Sequence, residues 1–157
     1  MKITVLAIGK TDDSWIKEGI DRYVKRLKHY LPFEFQLIPD LKNRKKLSQS
    51  QQKEQEGLLI LKYLQPTDYL ILLDENGSHY SSRKFAQFLQ QKMNAGTKRL
   101  VFVVGGPYGF SPTVYAKANS LLSLSKMTFS HQMIRPFVVE QLYRSFTILN
   151  NEPYHHD

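Results

Sequence analysis

The sequence predicts an α/β protein, a mostly parallel sheet flanked by helices. Three observations carry this. Short apolar runs alternate with longer stretches of helical spacing, the pattern of successive βα units. The runs in Asp68–Asp74 and Leu100–Val104 are apolar at nearly every position, as in strands buried on both faces. Turn and capping residues fall between the runs, and no internal repeat or low-complexity tract interrupts them.

The elements follow in order. Ile3–Gly9 is the first strand. Asp12, Asp13 and Ser14 offer caps for a helix on which Trp15, Ile16, Ile20, Tyr23, Val24 and Leu27 recur at helical spacing. Phe33–Ile38 is a second strand, entered through Pro32 and left through Pro39. A basic loop, Lys42–Lys46, precedes a long polar helix from about Ser48 to Leu64. Asp68–Asp74 is a buried strand, and Asn76-Gly77 reads as the turn that closes it. Ser81 or Ser82 caps a helix through Met93, stopped at Gly96. Leu100–Val104 runs straight into Gly105-Gly106-Pro107-Tyr108-Gly109. Ser111-Pro112, a cap followed by a first-turn proline, starts a short helix to about Asn119. Leu121–Leu124 is the last strand, Ile134–Leu149 an amphipathic helix, and 150–157 a polar tail.

The chain of 157 residues is long enough for one domain with a real core. Its 22 Lys and Arg exceed 14 Asp and Glu, a net charge of +8 that favours a polyanionic partner such as nucleic acid. It contains no cysteine, which excludes disulfides and thiolate metal sites. The histidines lack the spacing of a zinc site, so no metal is expected. No leader or membrane span is read, and the expected location is the cytoplasm.

Three segments hold candidate chemistry. The Gly105–Gly109 turn lets a ligand approach the backbone at the carboxyl end of a strand, where open α/β sheets bind ligands. It matches neither the dinucleotide fingerprint nor the P-loop, which removes nucleotide hydrolysis. The segment Leu124-Ser125-Lys126-Met127-Thr128-Phe129-Ser130-His131 crowds hydroxyls, a lysine and a histidine between a strand and a helix. Read instead as plain structure, Ser130 would cap the final helix and Arg135 would lie on its solvent face. The final helix and tail carry Glu140 and Arg144 at the favourable ion-pair spacing, then Tyr154, His155 and His156. Asp74 and Glu75 are adjacent on a strand, so they face opposite ways and form no acid–base pair.

These residues resemble the large-subunit rRNA methyltransferase H family of the SPOUT superfamily across essentially the whole chain. The most specific matches are Gly105-Gly106-Pro107-x-Gly109, Leu122-Ser123-Leu124-Ser125, Thr128-Phe129-x-His131, Glu140-Gln141-Leu142-Tyr143-Arg144 and Pro153-Tyr154-His155. Ser130, where proline is frequent, and Pro136, just inside the final helix, depart from common family forms.

The resemblance implies one domain over residues 1–157, with a trefoil knot at about 100–150 that holds S-adenosylmethionine. Family cofactor positions fall on Leu73, Gly105 and Leu124, Ser125, Lys126, Met127, Thr128 and Phe129. It further implies a homodimer that methylates N3 of a pseudouridine in helix 69 of 23S rRNA, within the assembled ribosome. His131 is then the candidate base or orienting group, because its ordinary pKa lies near physiological pH. Arg144 is placed to stabilise developing charge or hold a phosphate, and Tyr154 and His155 to contact the target base. Competing expectations are a SPOUT enzyme acting on tRNA and a non-catalytic RNA-binding module.

Overall fold

The computed structural model describes residues 1–156; Asp157, the end of the expected tail, lies outside them. The chain forms β1 (Lys2–Ile8), α1 (Ser14–Leu27), β2 (Phe33–Ile38), a 3-10 turn (Arg44–Lys46), α2 (Gln49–Tyr63) and β3 (Tyr69–His79). There follow α3 (Ser82–Asn94), β4 (Arg99–Val104), α4 (Pro112–Lys117), β5 (Ser120–Ser123) and α5 (Ile134–Leu149). All sheet pairings are parallel, in the order β2-β1-β4-β3-β5. The α/β expectation is met.

Alternation along the strands builds two cores. On one face Ile3, Val5, Ala7, Leu100, Phe102 and Val104 pack with Ile16, Ile20, Phe85, Val138 and Leu142 of α1, α3 and α5. On the other, Leu6, Ile8, Leu70, Leu72, Val101 and Val103 pack with Ile60 and Val114 of α2 and α4. A sheet covered on both sides needs strands without a polar face, which is why β4 is Leu-Val-Phe-Val-Val after its first residue.

Local chemistry fixes several boundaries. Ser48 and Gln51 make a reciprocal capping box at the start of α2, satisfying donors that the first turn leaves open. Ser81 and Ser111 cap α3 and α4, the latter with Pro112 in the first turn. Asp13 occupies the cap position of α1 without a side-chain cap bond. Trp15 is 59% exposed, so the apolar stripe of α1 begins at Ile16.

Asn76-Gly77 does not close β3. The strand passes through it, with a register shift between Leu73 and Ser78, and pairs again with β5 through Ser78 and His79. Glycine is required here by close approach: a Cβ at Gly77 would stand 2.5 Å from the carbonyl carbon of Leu122. Leu73 and Ser78 both pair with Leu122, so residues 74–77 are extra on the β3 side of this pairing.

At the opposite end of the sheet, Asp68 and Arg99 form an ion pair whose side chains are 2% and 17% exposed. Arg99 Nε donates to Asp68 Oδ1 at 2.8 Å, and the Gln65 amide donates to Oδ2 at 2.7 Å. Burial works against the Asp68 charge, but Arg99 and that amide prevail and hold its carboxyl below the usual carboxylate range. A lowered folded-state pKa means stability is present above the unfolded value, about 3.9, and is lost as pH falls through the folded one. Asp68→Asn is expected to lower stability in urea at pH 7 by about 1–3 kcal/mol. The gap from wild type closes as the pH is taken below the Asp68 titration.

Candidate active site

The loops leaving β3, β4 and β5 enclose a cleft of about 560 Å³. Its walls are backbone-rich. Gly105 lies against the Phe110 ring, which a Cβ would meet at 3.1 Å, and Gly106 lies against Glu56, whose Oε2 a Cβ would meet at 2.6 Å. Gly109 turns the chain at φ +78°, in the left-handed region. Side-chain volume is therefore excluded at Gly105 and Gly106, where the β4 loop packs on Phe110 and Glu56.

The remaining lining is mixed. Leu73, Val104, Leu122, Leu124 and Ile134 supply apolar surface, and Asp74 accepts a hydrogen bond from the Tyr115 hydroxyl. Burial first, then Asp74, pushes the Tyr115 phenol up to about 12, so it stays a donor. Across the cleft, residues 124–131 are irregular but tied. Ser125 Oγ accepts from the Met127 amide at 2.9 Å, and Ser130 Oγ accepts from the Met133 amide at 3.1 Å. The loop's remaining amides and carbonyls are thus held beside the cleft, outside any sheet ladder.

His131 also lines the cleft. Its backbone carbonyl accepts from Arg135 Nε at 3.0 Å. Arg135 has no exposed surface, and donates further to Gly9 O (3.0 Å), Ile8 O (2.6 Å) and Thr11 Oγ1 (3.0 Å). The solvent-facing Arg135 of the plain-structure reading is overturned. It lies on the inner side of α5, and its guanidinium satisfies carbonyls where β1 ends. Burial and the Arg135 charge lower the His131 pKa, outweighing Asp12 and Asp40, so the imidazole is neutral at neutral pH.

A second polar cluster occupies the far end of α5. Arg144 Nη2 lies 2.6 Å from Glu140 Oε1, and Nη1 lies 3.3 Å from His155 Nδ1. The Tyr154 hydroxyl is 3.0 Å from Glu140 Oε1 and 3.1 Å from the Tyr23 hydroxyl. Arg144 sits over the Tyr154 ring at 4.8 Å, and Tyr143 meets that ring edge-on at 4.8 Å. Burial and the hydrogen bond with Tyr23 raise the Tyr154 pKa strongly, with Glu140 adding to both. The tail is therefore folded back on α1 and α5.

Residues 1–155 match the family described as "Predicted SPOUT methyltransferase". The chain belongs to the SPOUT methyltransferase family. It is 61% identical over 157 residues to "Ribosomal RNA large subunit methyltransferase H" of Parabacteroides distasonis, covering 100% of both chains. It is 62% identical over 156 residues to the protein of that name from Flavobacterium johnsoniae, covering 99% of both. The Porphyromonas gingivalis protein of the same name is 55% identical over 157 residues, with 100% of both covered. In fold it resembles "a probable methylase family protein from Haemophilus influenzae Rd KW20", with a TM-score of 0.51 at 15% identity, over 99% of this chain and 70% of that one.

Within this SPOUT fold the residues singled out from sequence fall into two groups. Leu73, Gly105, Leu124, Ser125, Met127, Thr128, Phe129 and His131 converge on the cleft, while Lys126 is not among its lining residues. Arg144, Tyr154 and His155 converge on each other instead. With a rise of about 1.5 Å per residue, α5 puts Arg144 about 15 Å along the helix from the cleft at Ile134. Sequence reasoning missed Asp74 as the partner of Tyr115, and Tyr23 as the partner of Tyr154. It also missed the buried pair of Gln52 and Glu56 behind Gly106. The Glu56-Gly57 step was a visible signal, since Gly57 admits the Ser111 hydroxyl, which its Cβ would meet at 2.6 Å. Among the described residues, no group of His, Asp and Glu could hold a metal ion, and no helix is long and apolar enough to cross a membrane.

Proposed function

We propose that this protein is an S-adenosylmethionine-dependent methyltransferase of bacterial large-subunit rRNA, working as a cytoplasmic homodimer on the assembled ribosome. The carrying observation is the backbone-lined cleft at the ends of β3, β4 and β5, in a chain aligned end to end with relatives of that name. The fit is chemical. An adenosine needs apolar walls and backbone donors and acceptors, which Leu73, Leu124, Phe129 and the Gly105 loop offer. When bound, the cofactor supplies an electrophilic methyl group on sulfur. We assign the trefoil knot, on family grounds, to the chain at about 100–150.

The target is N3 of a pseudouridine in helix 69 of 23S rRNA. That imide must lose its proton to become nucleophilic, and neutral His131 at the cleft is the group that accepts it. Arg144 meets the charge that develops on the flanking carbonyl oxygens, and Tyr154 and His155 orient the base. Because the Arg144 cluster does not reach its own cleft, the tail of one protomer completes the cleft of the other. Met127, Phe129 and Phe137 support such an interface, being 79%, 36% and 42% exposed beside the cleft. Phe129 and Phe137 rings touch at 5.1 Å there, and exposed apolar surface of this kind marks contact sites.

The test is tritiated methyl transfer to assembled ribosomes, free subunits, naked rRNA and tRNA in parallel. Label on ribosomes alone is expected, placed at N3 of one pseudouridine. Label on tRNA would keep the reaction and overturn the substrate. No label and no cofactor binding would leave an RNA-binding module.

A further inference from the structure

A second cavity, of about 400 Å³, opens on the other side of the Gly105–Gly109 turn. Pro107, Tyr108 and His131 line both cavities, so the turn is a wall between them. Behind it lie Gln52 and Glu56, 5% and 4% exposed, with Gln52 Nε2 donating to Glu56 Oε1 at 2.9 Å. Lys10, Arg44 and Lys45 are exposed at the mouth, where Arg44 pairs with Asp40 at 3.1 Å. Arg44 and Lys45 belong to the basic run Lys42–Lys46, and Ile8, Gly9, Asp12 and Gln132 complete the lining. Tyr108 is 45% exposed on the dividing wall.

Three features of this cavity select its ligand. The buried amide and carboxyl hold one hydrogen bond with each other and keep further polar capacity, which an apolar occupant would shut off from water. The mouth is cationic but partly neutralised by Asp40 and Asp12, which suits one phosphate better than a dense polyanion. The exposed tyrosine ring is a stacking surface, and aromatic rings hold unpaired bases by their faces. A nucleotide combines a planar face, a polar edge and one phosphate charge. We propose that this cavity takes an unpaired nucleotide of the RNA substrate, its base against Tyr108 with an edge toward Gln52 and Glu56, and its phosphate at Lys10, Arg44 and Lys45. This rests on the RNA methyltransferase reading. The shared wall makes the occupant a neighbour of the nucleotide at His131, so the cavity fixes which base of a strand reaches the cleft. The Gln52 amide and the Glu56 carboxyl offer donor and acceptor atoms to the edge, and burial raises the Glu56 pKa.

The test is fluorescence anisotropy with a labelled short single-stranded RNA, comparing wild type with Tyr108→Ala, Gln52→Leu and Lys45→Glu. Ribosome methylation is measured alongside. Tyr108→Ala and Lys45→Glu are expected to weaken binding about tenfold. Lys45→Glu should also reduce the salt dependence by about one phosphate contact. Lys45 is exposed, so its variant reports on binding even if Tyr108→Ala or Gln52→Leu disturbs folding. Affinity within about twofold of wild type for Tyr108→Ala and Lys45→Glu overturns the site, as does absence of RNA binding by the wild type. If no RNA is methylated but these variants still lose affinity, the methyltransferase reading fails and the nucleotide site stands. If ribosomes are methylated and the variants keep wild-type affinity and KM, the site fails alone.

Discussion

Replacing His131 with alanine should reduce single-turnover methyl transfer by about 10²- to 10⁴-fold, the range of a lost general base. The ring lies on the cleft wall, neutral at neutral pH because burial and Arg135 both disfavour its charged form. Wild-type activity is therefore expected to fall on acidification only below the ordinary histidine range, and the variant should lack that limb. Tyr154→Ala should be similarly inactive, but for a group about two turns of α5 or more from its own cleft. The two defects are then complementary. When the inactive proteins are unfolded together, mixed and refolded, about half of the dimers are mixed by statistics, each pairing one intact cleft with one intact tail. Activity should return to roughly a quarter of wild type. No recovery would mean that cleft and tail act within one chain, or that no dimer forms. Retention of a near wild-type rate by His131→Ala would remove the histidine from the mechanism.

The order and type of the elements were legible because their signals are local. Apolar runs gave the strands, and serine caps gave the starts of α2, α3 and α4. The errors came where a residue answers to distant contacts. Asn76-Gly77 carries the composition of a turn, yet Gly77 is there because the backbone of Leu122 passes through the space of a Cβ. Trp15 fits the helical stripe by spacing, yet α1 turns it outward. Neither outcome could be read from neighbours in sequence, because strand pairing and helix rotation are set by the whole sheet.

The site was legible in a different way. Motif by motif, the chain named residues that converge on one cleft and residues that converge on one cluster, without indicating that the two are apart. Spacing along α5 carries that separation only once the helix is known to be continuous from Ile134 to Leu149. The second cavity was marked only by the Glu56-Gly57 step and the basic run Lys42–Lys46, neither of which says that they meet. Gln52 and Glu56 sit on the polar first half of α2, where a glutamine and a glutamate normally face solvent. Only the packing of α2 behind the Gly105 turn makes them interior.

Arg135 is where stability and chemistry meet, and its substitution should have the largest effect on folding. Removing the side chain to alanine leaves the carbonyls of Ile8, Gly9 and His131 and the Thr11 hydroxyl without their donor, and opens a void under the cleft. Unsatisfied buried acceptors and a large-to-small cavity together are expected to lose about 3–5 kcal/mol, a substantial share of the stability of a protein this size. In thermal denaturation that corresponds to a fall of about 10 °C. Arg135→Met should lose less, by the void term alone, since it too leaves these acceptors without their donor. It refills the void, while both variants remove a buried cation with no carboxylate among its hydrogen-bond partners. The methionine variant then isolates the electrostatic role. The charges that act on His131 are Arg135 and Arg44, which lower its pKa, and Asp12 and Asp40, which raise it. Deleting the nearest positive charge lets the imidazole bind its proton more readily, so the acidic limb of activity should move to higher pH. A limb that stays in place while stability falls would show that Arg135 holds the loop but does not tune the histidine.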